Sequence, residues 1–99
     1  MIMPNGEGKN WVRLCAAIDG FRARYGAWPT MIKIPQIIID DLRSYLGNEM
    51  FKKIGSRLTI IEDETGFIAV DNQGRQYDYA QEGFPEVPPD VPARIWFEK

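Results

Sequence analysis

The sequence predicts an α+β domain of two layers, N-terminal helices packed on a C-terminal antiparallel three-stranded meander, with a short extra strand at 30–34 as an optional addition. Three observations carry this. Apolar residues recur at three- and four-residue steps from Trp11 to Tyr25 and again from Ile38 to Leu46, the spacing of amphipathic helices. From Leu58 onward the period falls to two, as in half-buried strands. Glycine, asparagine and proline stand where the period changes, and those are the residues that turns require.

The first helix is the plainest element. Trp11, Leu14, Cys15, Ile18, Phe21 and Tyr25 form one stripe, Gly26 follows as a terminating glycine, and Arg22 and Arg24 stand in the last turn, where cations oppose the helix dipole. Gly20 lies inside this helix at a cost of about 1 kcal/mol against alanine, so it marks either a close backbone approach or a weak point. After the turn Gly26-Ala27-Trp28-Pro29, residues Thr30 to Ile34 alternate as a short strand would, with Ile32 and Ile34 on one face and Pro35 as the stop. Ile38, Leu42, Tyr45 and Leu46 then step as a second helix ending at Gly47, against the strand propensity of Ile37-Ile38-Ile39. Asn48 is placed to cap a third, short helix whose Met50, Phe51 and Ile54 face inward.

Turn spacing sets the expected register of the meander. A three-residue loop at Glu64-Thr65-Gly66 would pair Ile60 with Val70. A symmetric closure at Asn72-Gln73-Gly74-Arg75 would pair Val70 with Tyr77 and Ile68 with Tyr79. One face then carries Leu58, Ile60, Ile68, Val70, Tyr77 and Tyr79 for the helices to cover. The other carries Thr59, Ile61, Phe67, Ala69, Asp71, Gln76 and Asp78, which is too apolar in its middle to be left wet. Residues 1–81 read as a single compact domain, and residues 82–99 as a proline-rich extended tail. Pro85, Pro88, Pro89 and Pro92 stiffen that tail, and it ends in the anchor Ile95-Trp96-Phe97. The anchor is expected to dock on its own domain, and it is the candidate cover for Ile61, Phe67 and Ala69.

Composition narrows the chemistry. With no histidine in the chain, the usual general base, zinc ligand and pH switch are missing, which excludes His-based triads and most zinc sites. A single cysteine, Cys15, cannot close an internal disulfide and fits a reducing compartment. No apolar run approaches the roughly 20 residues of a membrane span, and Met-Ile-Met-Pro-Asn lacks the character of a signal peptide. A cytoplasmic location is expected, with no cofactor and no membrane partner.

Charge is unevenly placed. Residues 1–57 hold nine Lys or Arg against five Asp or Glu, and residues 58–99 hold three against nine. The carboxylates have ordinary explanations: Glu62-Asp63-Glu64 keep a turn soluble, and Asp40 and Asp41 favour the start of a helix. Gly6 and Gly8 belong to no phosphate loop, because no Gly-Lys-Ser/Thr ending follows. No motif points to a named family.

Three functional readings follow. The first is a small non-enzymatic protein–protein interaction or regulatory module, binding another protein or a second copy in a homodimer through Ile61, Phe67, Ala69, Trp96 and Phe97. The second is a nucleic-acid-contacting accessory protein that uses Lys9, Arg13, Arg22, Arg24, Lys52 and Lys53. An acidic chain with pI near 5.1 argues against tight sequence-independent binding of that kind. The third, ranked last, is a metal-dependent hydrolase built on Glu62, Asp71 and Asp78.

Overall fold

The computed structural model describes residues 8–99. The chain runs α1 (Lys9–Tyr25), β1 (Met31–Ile34), α2 (Gln36–Leu46), α3 (Asn48–Arg57), β2 (Thr59–Glu62), β3 (Ile68–Val70), β4 (Gln76–Asp78), α4 (Tyr79–Glu82) and α5 (Ala93–Glu98). The architecture is α+β, with helices layered on one sheet.

The optional strand proves to be central. The sheet order is β2-β1-β3-β4, with β1 parallel to β2 and antiparallel to β3. A parallel pair needs a long crossover, and α2 with α3 supplies it. This corrects the expected three-stranded meander: β1 lies between β2 and β3, so Ile60 pairs with Ile32 and not with Val70. The Glu64-Thr65-Gly66 segment is therefore no hairpin between neighbours. It carries the chain past the end of β1, where Asp63 N–H donates to the Ile34 carbonyl, the Asp63 carboxylate accepts from Thr65 and Gly66 lies against Pro35.

The second turn is also one residue tighter than expected. Asp71 N–H donates to the Arg75 carbonyl at 3.1 Å, and Gly74 adopts φ of 80°, so the loop is Asn72-Gln73-Gly74 with glycine in the left-handed position of a bulged turn. Asp71 locks it, accepting from the backbone N–H groups of Gln73 and Arg75 and from the Arg75 guanidinium. Ala69 consequently faces Tyr77 and Ile68 faces Asp78. A one-residue slip exchanges faces, so Ala69 and Phe67 turn toward the helices, while Ile68 and Val70 turn away.

The core lies between the helices and one side of the sheet. Leu14, Ala17, Ile18 and Phe21 of α1 meet Ile32, Ile34, Ala69 and Tyr77, with Ile39, Leu42, Ile54 and Leu58 closing the crossover side. The Ile37-Ile38-Ile39 run is helical because Ile39 and Leu42 lie one turn-step apart and are both buried. Pro35 stops β1 as expected and directly precedes that helix, and Gly47 rather than Asn48 precedes α3. The tail is not simply extended, since it contains α5 and begins at the last residue of α4.

Gly20 marks a close approach. A β-carbon there would stand 2.2 Å from Tyr77 Cζ and 2.3 Å from its Cε1, so α1 can lie on the sheet only where it has no side chain. The Tyr77 ring cannot retreat freely, because its hydroxyl donates to the Gly83 carbonyl at 2.7 Å. Gly20→Ala is expected to destabilise the fold by about 1–3 kcal/mol through overpacking despite alanine's better helix propensity. Urea denaturation should also show that the penalty shrinks in a Tyr77→Leu background.

Candidate functional site

The sheet's reverse side follows from its register. Ile32 and Ile34 point into the core, so Met31 and Lys33 point away, and their cross-strand partners point with them. One row across the sheet reads Ile61, Lys33, Ile68, Asp78, and the next reads Thr59, Met31, Val70, Gln76. Met31, Ile61, Ile68 and Val70 all stand outside the core cluster. Val70, between its row neighbours, keeps only 7% of its surface, while Met31, Ile61 and Ile68 are half-buried.

Two charges break this apolar face. Lys33 lies in the middle of its row and adds to the Thr65 hydrogen bonds that hold the Asp63 carboxyl below its ordinary range. Asp78 ends the row and caps α4 by accepting from Ala80 N–H at 2.9 Å.

Of the five residues expected to bind a partner, only Ile61 lies on this face. Ala69 is fully buried against the helices. Phe67, with φ of 50°, packs toward the core with its ring edge-on to Tyr79. Trp96 stacks on Trp28, with ring centroids 4.3 Å apart and planes 3° from parallel. Phe97 is buried, 5.8 Å from the Trp11 ring. The anchor therefore docks where α1, α3 and the 26–29 turn meet, and it does not cover Ile61. Met31, Lys33, Ile68 and Val70 escape the sequence reading. The alternation at 31–34 was a signal for the first pair, whereas the second pair depends on the slipped turn.

The basic side chains do not assemble into a stripe. Arg22 donates to the Gly26 carbonyl and lies 4.9 Å above the Trp28 ring. Arg24 clasps Glu82 with both terminal nitrogens and covers Tyr77. Arg13 donates to Asn10, whose amide in turn donates to Asp41. Lys9 is exposed at the start of α1, and Lys52 and Lys53 are exposed on α3.

The carboxylates are likewise dispersed. Glu62 and Asp78 stand on strands at opposite ends of the sheet, with β1 and β3 between them, and Asp71 is committed to Arg75. Among the described residues no three metal-ligating side chains converge.

A groove of about 310 Å³ runs between α1 and the 84–94 segment, lined by Trp11, Val12, Cys15 and Phe84 with Asp19 and Arg94 at its polar end. Burial, reinforced by the Asp19 charge, pushes the Cys15 thiol up to about 12, so it stays protonated and a poor nucleophile near neutrality. Asp19 has a structural task that the sequence did not disclose. Its Oδ1 accepts from Ala93 N–H at 2.7 Å, supplying the cap that Pro92 cannot give α5.

Against this geometry, no family model, curated protein or solved structure matches the chain. No helix of the described residues is long and apolar enough to cross a membrane.

The carboxylates give opposite pH signatures. Burial raises Asp19 above its ordinary 3.8, against the Ala93 hydrogen bond and Arg94. Ionising it therefore costs the folded state more than the unfolded one, and stability declines as pH rises from 3.8 through the raised value. At Asp71, burial pulls upward, but Arg75 and the two backbone donors outweigh it and leave the carboxyl below 3.8. Its stabilising share is present above 3.8 and is lost as pH falls through the lowered value. Asp19→Asn, which keeps the acceptor and drops the charge, should flatten the decline above pH 3.8 in urea midpoints and preserve the near-UV circular dichroism of the Trp28–Trp96 stack. Asp19→Ala should weaken that signal.

Proposed function

We propose that this chain is a non-enzymatic protein-binding module that presents the helix-free face of its sheet to another protein. The observation that carries the reading is the pair of rows that places the half-buried Met31, Ile61 and Ile68 on the side of the sheet away from the core cluster. Apolar side chains aligned on a rigid sheet, with Lys33 among them and Asp78 at the end of the row, give a contact surface both apolar area and charged groups that set orientation. Rigidity matters here, because β1 and β3 are interior strands and their side chains need no ordering when a partner arrives. The dispersal of the carboxylates and the protonated Cys15 thiol support a role without catalysis. The internal engagement of Arg22 and Arg24 ranks nucleic acid below protein as the partner class. The lone thiol suits a cytoplasmic setting.

Affinity capture with the purified chain tests this. Ile68→Asp places a charge in the centre of the face yet outside the core, so it is expected to cost the fold no more than about 1 kcal/mol while abolishing capture. Lys9→Glu, at an exposed position at the start of α1 and off the sheet, should leave capture intact. A captured set unchanged by Ile68→Asp, or no capture by the unsubstituted chain, overturns the reading.

A further inference from the structure

The two edges of the sheet are treated differently. Flanking β4, the Arg75 carbonyl accepts from Asp71 N–H and Tyr79 N–H donates to the Phe67 carbonyl, so the two-residue period turns the backbone of Gln76 and Asp78 outward. Both are occupied. The Tyr25 hydroxyl donates to the Gln76 carbonyl at 3.0 Å, and Asp78 N–H donates to the Glu82 carboxylate, itself held by Arg24. That edge is closed by side chains from α1 and α4.

At β2 the corresponding groups have no such cover. Thr59 and Asp63 N–H donate inward to Thr30 and Ile34, so by the same alternation Ile60 and Glu62 direct their N–H and C=O groups outward. No side chain among the described residues bonds them. Two devices that block an exposed edge are missing here, because Thr59-Ile60-Ile61-Glu62 contains no proline and its register against β1 runs without a bulge.

Charge along this edge identifies what fits it. Arg57, which also lies over the Trp96 ring, ends α3 just before the strand, with Lys53 and Lys52 about a turn earlier on that helix, and Glu62, Asp63 and Glu64 lead out of the strand. A strand that is basic at its start and acidic at its end is complementary to itself only when the second copy runs antiparallel, since a parallel copy would set like charges together. We infer that β2 pairs antiparallel with β2 of a second copy of this chain, about a two-fold axis at Ile61, joining two sheets into one.

In that register Ile60 and Glu62 of each copy exchange backbone hydrogen bonds with Glu62 and Ile60 of the other. The two Ile61 side chains meet as a non-hydrogen-bonded pair, the closer kind in an antiparallel ladder. The basic approach to each strand comes beside the acidic exit of its neighbour. The contact is isologous and closes on itself, so it yields a dimer and not a filament. It uses backbone at a sheet edge and stands apart from the open-face reading.

Sedimentation over a dilution series, with hydrogen exchange at both ends of that series, tests it. The expected result is the mass of two 11.4 kDa chains at high concentration. Amide protection at Ile60 and Glu62 should be lost on dilution, while Thr59, Ile61 and Asp63 stay protected by β1. Glu62→Pro removes an outward donor that β1 does not use, a substitution that edge strands tolerate, and should halve the mass with the near-UV spectrum unchanged. A single-chain mass throughout overturns the inference. So does a dimer that survives Glu62→Pro in folded form, or one whose Ile60 and Glu62 amides exchange freely; the exchange pattern of the unsubstituted chain decides the matter if Glu62→Pro does not fold. A dimer lost in Ile68→Asp but kept in Glu62→Pro would place the contact on the open face, overturning the edge inference and supporting the surface described above.

Discussion

Everything in this fold depends on β1 occupying an interior position with Ile32 and Ile34 fully buried beneath the helices. A strand of four residues bonded on both sides gives the sheet its width, and its two isoleucines lie in the buried core shared by α1, α2 and α3. It also dictates the rest of the topology. Because β2 must pair parallel to β1, the chain has to return to the same end, and α2 and α3 exist as that return path. Because β3 arrives on the other side, the 63–67 segment has to pass over the end of β1, which explains its short Asp63–Thr65 turn and its contact with Pro35.

The C-terminal segment is fastened to this platform at several dissimilar points. Trp96 stacks face to face on Trp28, Arg22 and Arg57 lie over the outer faces of the two rings, Phe97 enters the core, and Asp19 caps the helix from below. Earlier along the tail, Arg24 holds Glu82 and Tyr77 holds Gly83. The cation–ring contacts and the stack are individually modest, but they act on a six-residue helix that could not persist alone. Cooperation among unlike contacts fixes α5 where its own length cannot.

Local pattern made the helices legible, and it made one face of β1 legible too. The stripe from Trp11 to Tyr25 matches α1 and its glycine stop, and the α+β class follows from the change of period at Leu58. What local pattern could not supply was partner choice. The Glu64-Thr65-Gly66 segment carries the chemistry of a hairpin loop, yet the hairpin it suggests is pre-empted because β1 stands between β2 and β3 with Ile32 and Ile34 fully buried. The order strand, helix, helix, strand from 31 to 62 did contain the clue, since such an interval between strands is the usual mark of a parallel pair. The slip at Asn72-Gln73-Gly74 had a quieter signal in Asp71, whose carboxylate gathers the tight turn. That single residue moved Phe67 and Ala69 into the core and put Ile68 and Val70 in their place, so the candidate surface kept its position in the fold while most of its members changed.

The charge asymmetry of the chain acquires a meaning in the same terms. An excess of base in the first half and of acid in the second could have formed two opposed patches, but much of it is consumed where the two halves touch, as Arg24 meets Glu82. Lys33 bears on Asp63 in the same way. Lys52 and Lys53 on α3 and Glu62 and Glu64 around the end of β2 make no ion pair among the described residues, and they flank a strand edge that no described side chain closes. The same sequence neutralises the β4 edge with Tyr25 and Glu82 and leaves β2 with unpaired backbone groups between opposite charges. An unprotected edge ordinarily invites indiscriminate pairing. Bracketing charges of opposite sign make that pairing selective, because they favour one orientation of one partner and penalise the rest.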